Sequence, residues 1–126
     1  MSVKKTRSDL LLTERALRDI ADIERFSVAQ WGKTTAAKYI SDIEAALTLL
    51  KENSALLRTE EELHPALRFY RVNRHILVCD VQQDKIFLLT VIHASRDIPS
   101  RLAEMQPSLA TEIEMLHQIL AKGKKR

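Results

Sequence analysis

Glycine is almost missing from this chain of 126 residues: only Gly32 and Gly123 occur. Loops that cradle phosphate need clustered glycines, so that backbone amides can approach the anion closely. Neither nucleotide-binding fingerprint is present, which excludes a P-loop or Rossmann enzyme. Cysteine occurs once, at Cys79, so no intramolecular disulfide forms; within its apolar run the thiol reads as a small buried hydrophobe. The four histidines, at 64, 75, 93 and 117, lack metal-site spacing, and neither a metal nor a cofactor is expected. Long hydrophobic runs are lacking too. No stretch approaches the roughly 18 to 20 apolar residues of a membrane span. The start, MSVKKTRSDLLL, has too short an apolar segment for a secretory leader, so the expected location is the cytoplasm, away from any membrane.

What is present suits one domain with one core: 45% hydrophobic and 29% charged residues. Residues 1–126 read as a single unit, with flexible ends at 1–7 and 122–126 and a helical extension over 98–121. The net charge of +3 is a mild basic bias, part of it in the tail Lys122, Lys124, Lys125 and Arg126.

Residues 8 to 12 form a short apolar strand. Thr13 is a good N-cap, and Glu14 favours the positive end of a helix. Ala16, Leu17, Ile20, Ile23, Phe26 or Ser27, and Trp31 recur at three and four residues, with Asp19, Asp22, Glu24 and Arg25 on the wet face. Gly32 ends this helix at positive φ. Thr34 caps a second helix with a stripe of Ala36, Ile40, Ile43, Leu47 and Leu50, which makes an antiparallel hairpin. Residues 55 to 66, with three consecutive glutamates and Pro65, read as a surface loop. Three strands follow, at 67 to 72, 76 to 81 and 86 to 93, the last two joined by a turn at Gln82 to Asp84. The run IFLLTVI is apolar on both faces, so its strand needs cover on both sides, and the helical hairpin supplies one. A final helix beginning near Pro107, with Leu109, Ile113, Leu116 and Leu120 on one stripe, either covers the second face or pairs with another subunit. The fold class is α+β.

Candidate chemistry is sparse. Cys79, Ser95 and His93 are the parts of a nucleophilic triad, but Cys79 reads as buried and Ser95 lacks a glycine-flanked elbow. Asp19 and Asp22, one helical turn apart, read as solvated. The basic residues in or beside the strands carry more: Arg68, Arg71, Arg74, His75, Lys85, His93 and Arg96. Arginine holds phosphate or carboxylate bidentately, and histidine titrates near neutral pH. The same residues also suit the wet faces of strands.

Element order and residues together resemble the RelE/ParE superfamily of type II toxins. LTERALRDIADI, AAKYISDIEAALTLL, LRFYRVNRHILV and LLTVIHASRD carry the resemblance over roughly residues 8 to 97, and the closing His-x-x-Arg-Asp is of the ParE kind. The resemblance implies a toxin neutralised by a cognate antitoxin, in a possible hetero-oligomer with it. ParE-like members inhibit DNA gyrase; RelE-like members cut mRNA on the ribosome. It implies a target surface of Arg68, Arg71, Arg74, His93 and Arg96, and an antitoxin surface of Leu17, Ile20, Ala21, Tyr39 and Ile43. A ribonuclease would use His93 and Arg96. No tyrosine follows His93, which favours the gyrase branch. Departures from the ParE pattern are Ser54 in place of a proline, no glycine before the meander, and Cys79 in place of a tyrosine.

Overall fold

The structure, a computed structural model, describes residues 8–124. A short strand, β1 (Asp9–Leu12), leads through Thr13 into helix α1 (Glu14–Trp31). The Thr13 hydroxyl accepts from the Ala16 amide at 3.0 Å, as an N-cap should. Gly32 alone joins α1 to α2 (Lys33–Glu52), and its φ of 89° is one that side-chain-bearing residues rarely adopt. Thr34 is therefore not the cap of α2. It lies in the first turn, because Gly32 already supplies the N-terminal boundary and its carbonyl accepts from the Ala36 amide.

The segment read as a loop is structured. It holds a 3-10 turn (Ser54–Leu56), strand β2 (Arg58–Glu60) and the start of β3 (His64–Val72). Pro65 sits inside β3, where the pairing with β2 jumps from Thr59↔Arg68 to Glu60↔His64. The missing N–H thus falls in a bulge, where no ladder bond is forfeited. Strands β4 (His75–Gln82) and β5 (Lys85–His93) complete a sheet of order β1-β5-β4-β3-β2, with β1 parallel to β5 and the other pairs antiparallel.

Two apolar layers flank this sheet. On one side Ile23, Ile43, Leu47 and Leu50 of the hairpin pack on Leu77, Leu88 and Val91. On the other, Ile98, Leu102 and Met105 pack on Leu67, Phe69, Val78, Phe87 and Leu89. β5 is interior and buried from Ile86 through Ile92, as its two-faced apolar run requires. The second cover is a single helix, α3 (Ile98–Lys124), which begins nine residues before Pro107 rather than at it. Asp97 starts it: its carboxylate accepts from the Ser100 amide at 3.3 Å and the Ser100 hydroxyl at 2.9 Å. Pro99 is tolerated in the first turn, where its missing donor has no intrahelical partner. Pro107 deletes one internal bond, and the turns either side stay seated through Met105 and Ile113. The side chains of Leu109, Leu116 and Leu120 lie outside the described residues, as do 1–7 and 125–126; α3 itself reaches Lys124. No helix among the described residues is long and apolar enough to cross a membrane.

Candidate functional site

One extra residue in β5 decides what faces the hairpin at the open end of the sheet. Thr90 pairs with Val78 and Leu88 with Cys79, which leaves Leu89 as a bulge. Ile86 and Leu88 point toward the hairpin. Strict alternation would turn His93 to the opposite face. With the bulge, Val91 joins the hairpin-side core and His93 follows it. The bulge frees backbone and side-chain groups, and α1 collects them. The Thr13 hydroxyl donates to the Leu89 carbonyl at 2.7 Å. The Asp19 carboxylate accepts from the Val91 amide at 3.0 Å and from the Thr90 hydroxyl. Asp19 is thus no wet-face residue. Asp22, Glu24 and Arg25 are exposed as the pattern suggests, and Asp22 pairs with Arg25.

His93 lies directly across from His75 on β4, with ring centroids 5.0 Å apart. Tyr39 of α2 covers His75 edge-on at 5.6 Å, and its hydroxyl lies 2.6 Å from His75 Nδ1. The same hydroxyl also accepts from the Arg74 amide at 3.2 Å. His75 is half-buried. Burial, with the nearby His93, pushes its pKa down to about 4. In His93, Nδ1 accepts from the Ser95 amide at 3.1 Å and lies 2.8 Å from the Ser95 hydroxyl. An amide can only donate, so the ring proton of His93 is on Nε2. The β3–β4 turn is fixed to α2 a second time: Asn73, at a positive φ of 55°, donates to Asp42 at 3.0 Å. That bond, more than Lys38, holds the Asp42 carboxyl below its usual range.

Tyr39, His75, His93 and Ser95 line a cleft of 480 Å³ between the C-terminal end of α1 and the ends of β4 and β5. Its other wall is aromatic. Phe26 stands edge-on to Trp31 at 6.1 Å, and Trp31 leans on Tyr39 at 6.3 Å. Phe26 is 60% exposed and Trp31 46%. Ser27, the other candidate for that helical position, is the buried one. Arg74 and Arg96 complete the lining, and neither guanidinium has a hydrogen-bond or ion-pair partner among the described residues.

Of the expected target residues, Arg74, His93 and Arg96 come together here. Arg68 and Arg71 do not. They alternate with Leu67, Phe69, Tyr70 and Val72, so they project from opposite faces of β3. Arg68 lies opposite Cys79 on the hairpin face, and Arg71 donates to the Asn73 carbonyl at 3.0 Å. The expected antitoxin residues also separate. Ile43 is fully buried and Ile20 packs on the core, so Ile43 offers no surface. Leu17 and Ala21 are exposed on α1, whereas Tyr39 belongs to the cleft. Leu17 and Phe26 are nine residues apart in α1, about half a helical revolution at ~100° per residue. Cys79 is buried and its thiol is pushed up to about 12, by burial first and then the Asp80 charge, so it is no nucleophile.

A parallel edge strand, a helical hairpin on an antiparallel meander, and a basic aromatic cleft at the open end define a small toxin-like protein of the RelE/ParE architecture. The comparisons with known proteins narrow this. A family model described as "ParE toxin of type II toxin-antitoxin system, parDE" matches residues 10–98. The chain belongs to the ParE toxin family. It is 27% identical over 95 residues to "Toxin ParE" of Escherichia coli, covering 75% of this chain and 92% of that protein. It is 25% identical over 91 residues to "Toxin ParE1" of Caulobacter vibrioides, covering 72% and 94%. A solved structure described as "Chromosomal ParDE TA system from P. aeruginosa" shares the fold, with a TM-score of 0.63 at 18% identity over 71% of this chain and 99% of that one. The family match stops at residue 98, where α3 begins.

Proposed function

We propose that this ParE-family toxin arrests growth by binding and inhibiting DNA gyrase, and that a cognate antitoxin neutralises it in a joint hetero-oligomer in the cytoplasm. Membership of the ParE family over residues 10–98 carries the reading. The chemistry of the cleft supports binding over cleavage. A ribonuclease needs a group poised to take a proton from the 2′-hydroxyl. Here the Nδ1 lone pair of His93 is occupied by the Ser95 amide, and Nδ1 of His75 is tied to the Tyr39 hydroxyl. The whole described chain acts as one domain, with α3 part of its core. Antitoxin contacts centre on the outward Leu17 and Ala21 of α1; target contacts centre on Arg74, His93 and Arg96. The reading is tested by inducing the chain with and without its antitoxin. Expected are filamentation, a DNA-damage response and rescue by the antitoxin. An immediate block of translation with intact DNA contradicts it.

A further inference from the structure

The polar groups of the cleft have a consistent direction. The Tyr39 hydroxyl is already engaged by His75 Nδ1 and by the Arg74 amide. His93 accepts at Nδ1 from the Ser95 amide, so it has only Nε2–H left to offer. Arg74 and Arg96 are donors by nature, and their guanidinium groups are unpartnered among the described residues. The one carboxylate in the lining, Asp22, is already engaged by Arg25. The cleft therefore presents hydrogen-bond donors and positive charge beside an exposed aromatic wall of Phe26 and Trp31.

Such a surface fits a ligand with acceptors and negative charge around an apolar body. We propose that the cleft is a docking site for a segment of a protein partner that carries carboxylates on either side of one large apolar side chain. The apolar side chain lies against Phe26 and Trp31, and the carboxylates pair with Arg74 and Arg96. Charge complementarity selects this occupant over a nucleic-acid strand. A strand binds through many phosphates along a basic track, whereas this cleft has, among the described residues, two unpaired arginines beside an exposed aromatic wall. The proposal rests on the cleft alone and stands whichever cellular target the toxin has.

Trp31 is the only tryptophan in the chain, so its emission reports occupancy of the cleft. The full-length protein is titrated with a short peptide holding one leucine between aspartates. Binding is expected to change Trp31 emission saturably and to weaken with added salt. Arg74→Gln and Arg96→Gln are each expected to weaken it roughly ten-fold, the loss of one charge-assisted hydrogen bond. Both side chains are exposed, so both variants keep the fold. Phe26→Ser weakens binding likewise, and Arg58→Gln on the far edge strand leaves it unchanged. An equal response to a lysine-flanked peptide, a tighter one to a short single-stranded oligonucleotide, or none at all overturns the proposal. A gyrase result in either direction does not bear on it.

Discussion

Asp19→Ala tests the structural device that brings His93 into the cleft. The carboxylate accepts from the Val91 amide and from the Thr90 hydroxyl, and Thr90 is 0% exposed. Removing it strands two donors where β5 bulges. A buried donor left without a partner costs about 1–3 kcal/mol. Asp19 is only half-buried, so water partly replaces it, and the two together come to about 2–4 kcal/mol. In a domain of this size that lowers the melting temperature by roughly 10 °C. Asp22→Ala, one helical turn along, is the control. It loses an exposed ion pair with Arg25, worth about 0–1 kcal/mol. Asp19→Asn keeps an acceptor oxygen and recovers part of the loss. Urea unfolding of the three variants decides the matter. If Asp19→Ala and Asp22→Ala cost the same, the carboxylate does not hold the bulge and the account of His93 placement fails.

His75 makes stability pH-dependent. The unfolded chain takes up its proton near pH 6.5, whereas the native ring takes it only near 4. Between those values the unfolded state binds more protons, so stability falls as the pH drops through that window. Urea midpoints at pH 7 and pH 5 measure the fall, and His75→Gln should flatten it. Leu102→Ala, in the α3 face packed on the sheet, should cost about 2–5 kcal/mol by chemical unfolding; a cost under about 1 kcal/mol would mean that α3 does not seal the second core layer. The Cys79 thiol should react with a disulfide reagent only after denaturant is added, because burial keeps it protonated.

The order of elements was legible because local signals agreed with the tertiary fold. Thr13 and Gly32 mark helix ends chemically, and alternating apolar stripes mark the hairpin. The failures have physical causes. Pro65 reads as a strand breaker unless a bulge removes the need for its amide. Pro107 reads as a helix start unless contacts on either side hold the helix through it. The bulge at Leu89 was invisible because IFLLTVI is apolar on both faces, and a shift of one residue leaves no trace in such a run. The consequences for the site follow from that. Arg74, His93 and Arg96 were legible as basic residues near the exit of the sheet. What Asp19 binds depends on where the bulge lies, whereas Ser27 rather than Phe26 is buried because it continues the α1 stripe of Ala16 and Ile23. Period alone also could not separate Arg68 and Arg71 from the cleft, since that required the face assignment of β3.

The proposed activity is poisoning of gyrase by binding it. Supercoiling of relaxed plasmid by purified DNA gyrase, with the full chain added alone or with its antitoxin, tests it most directly. The account predicts loss of supercoiling that depends on toxin concentration and is reversed by the antitoxin. Unchanged supercoiling, together with mRNA cut on ribosomes by the same preparation, would contradict it.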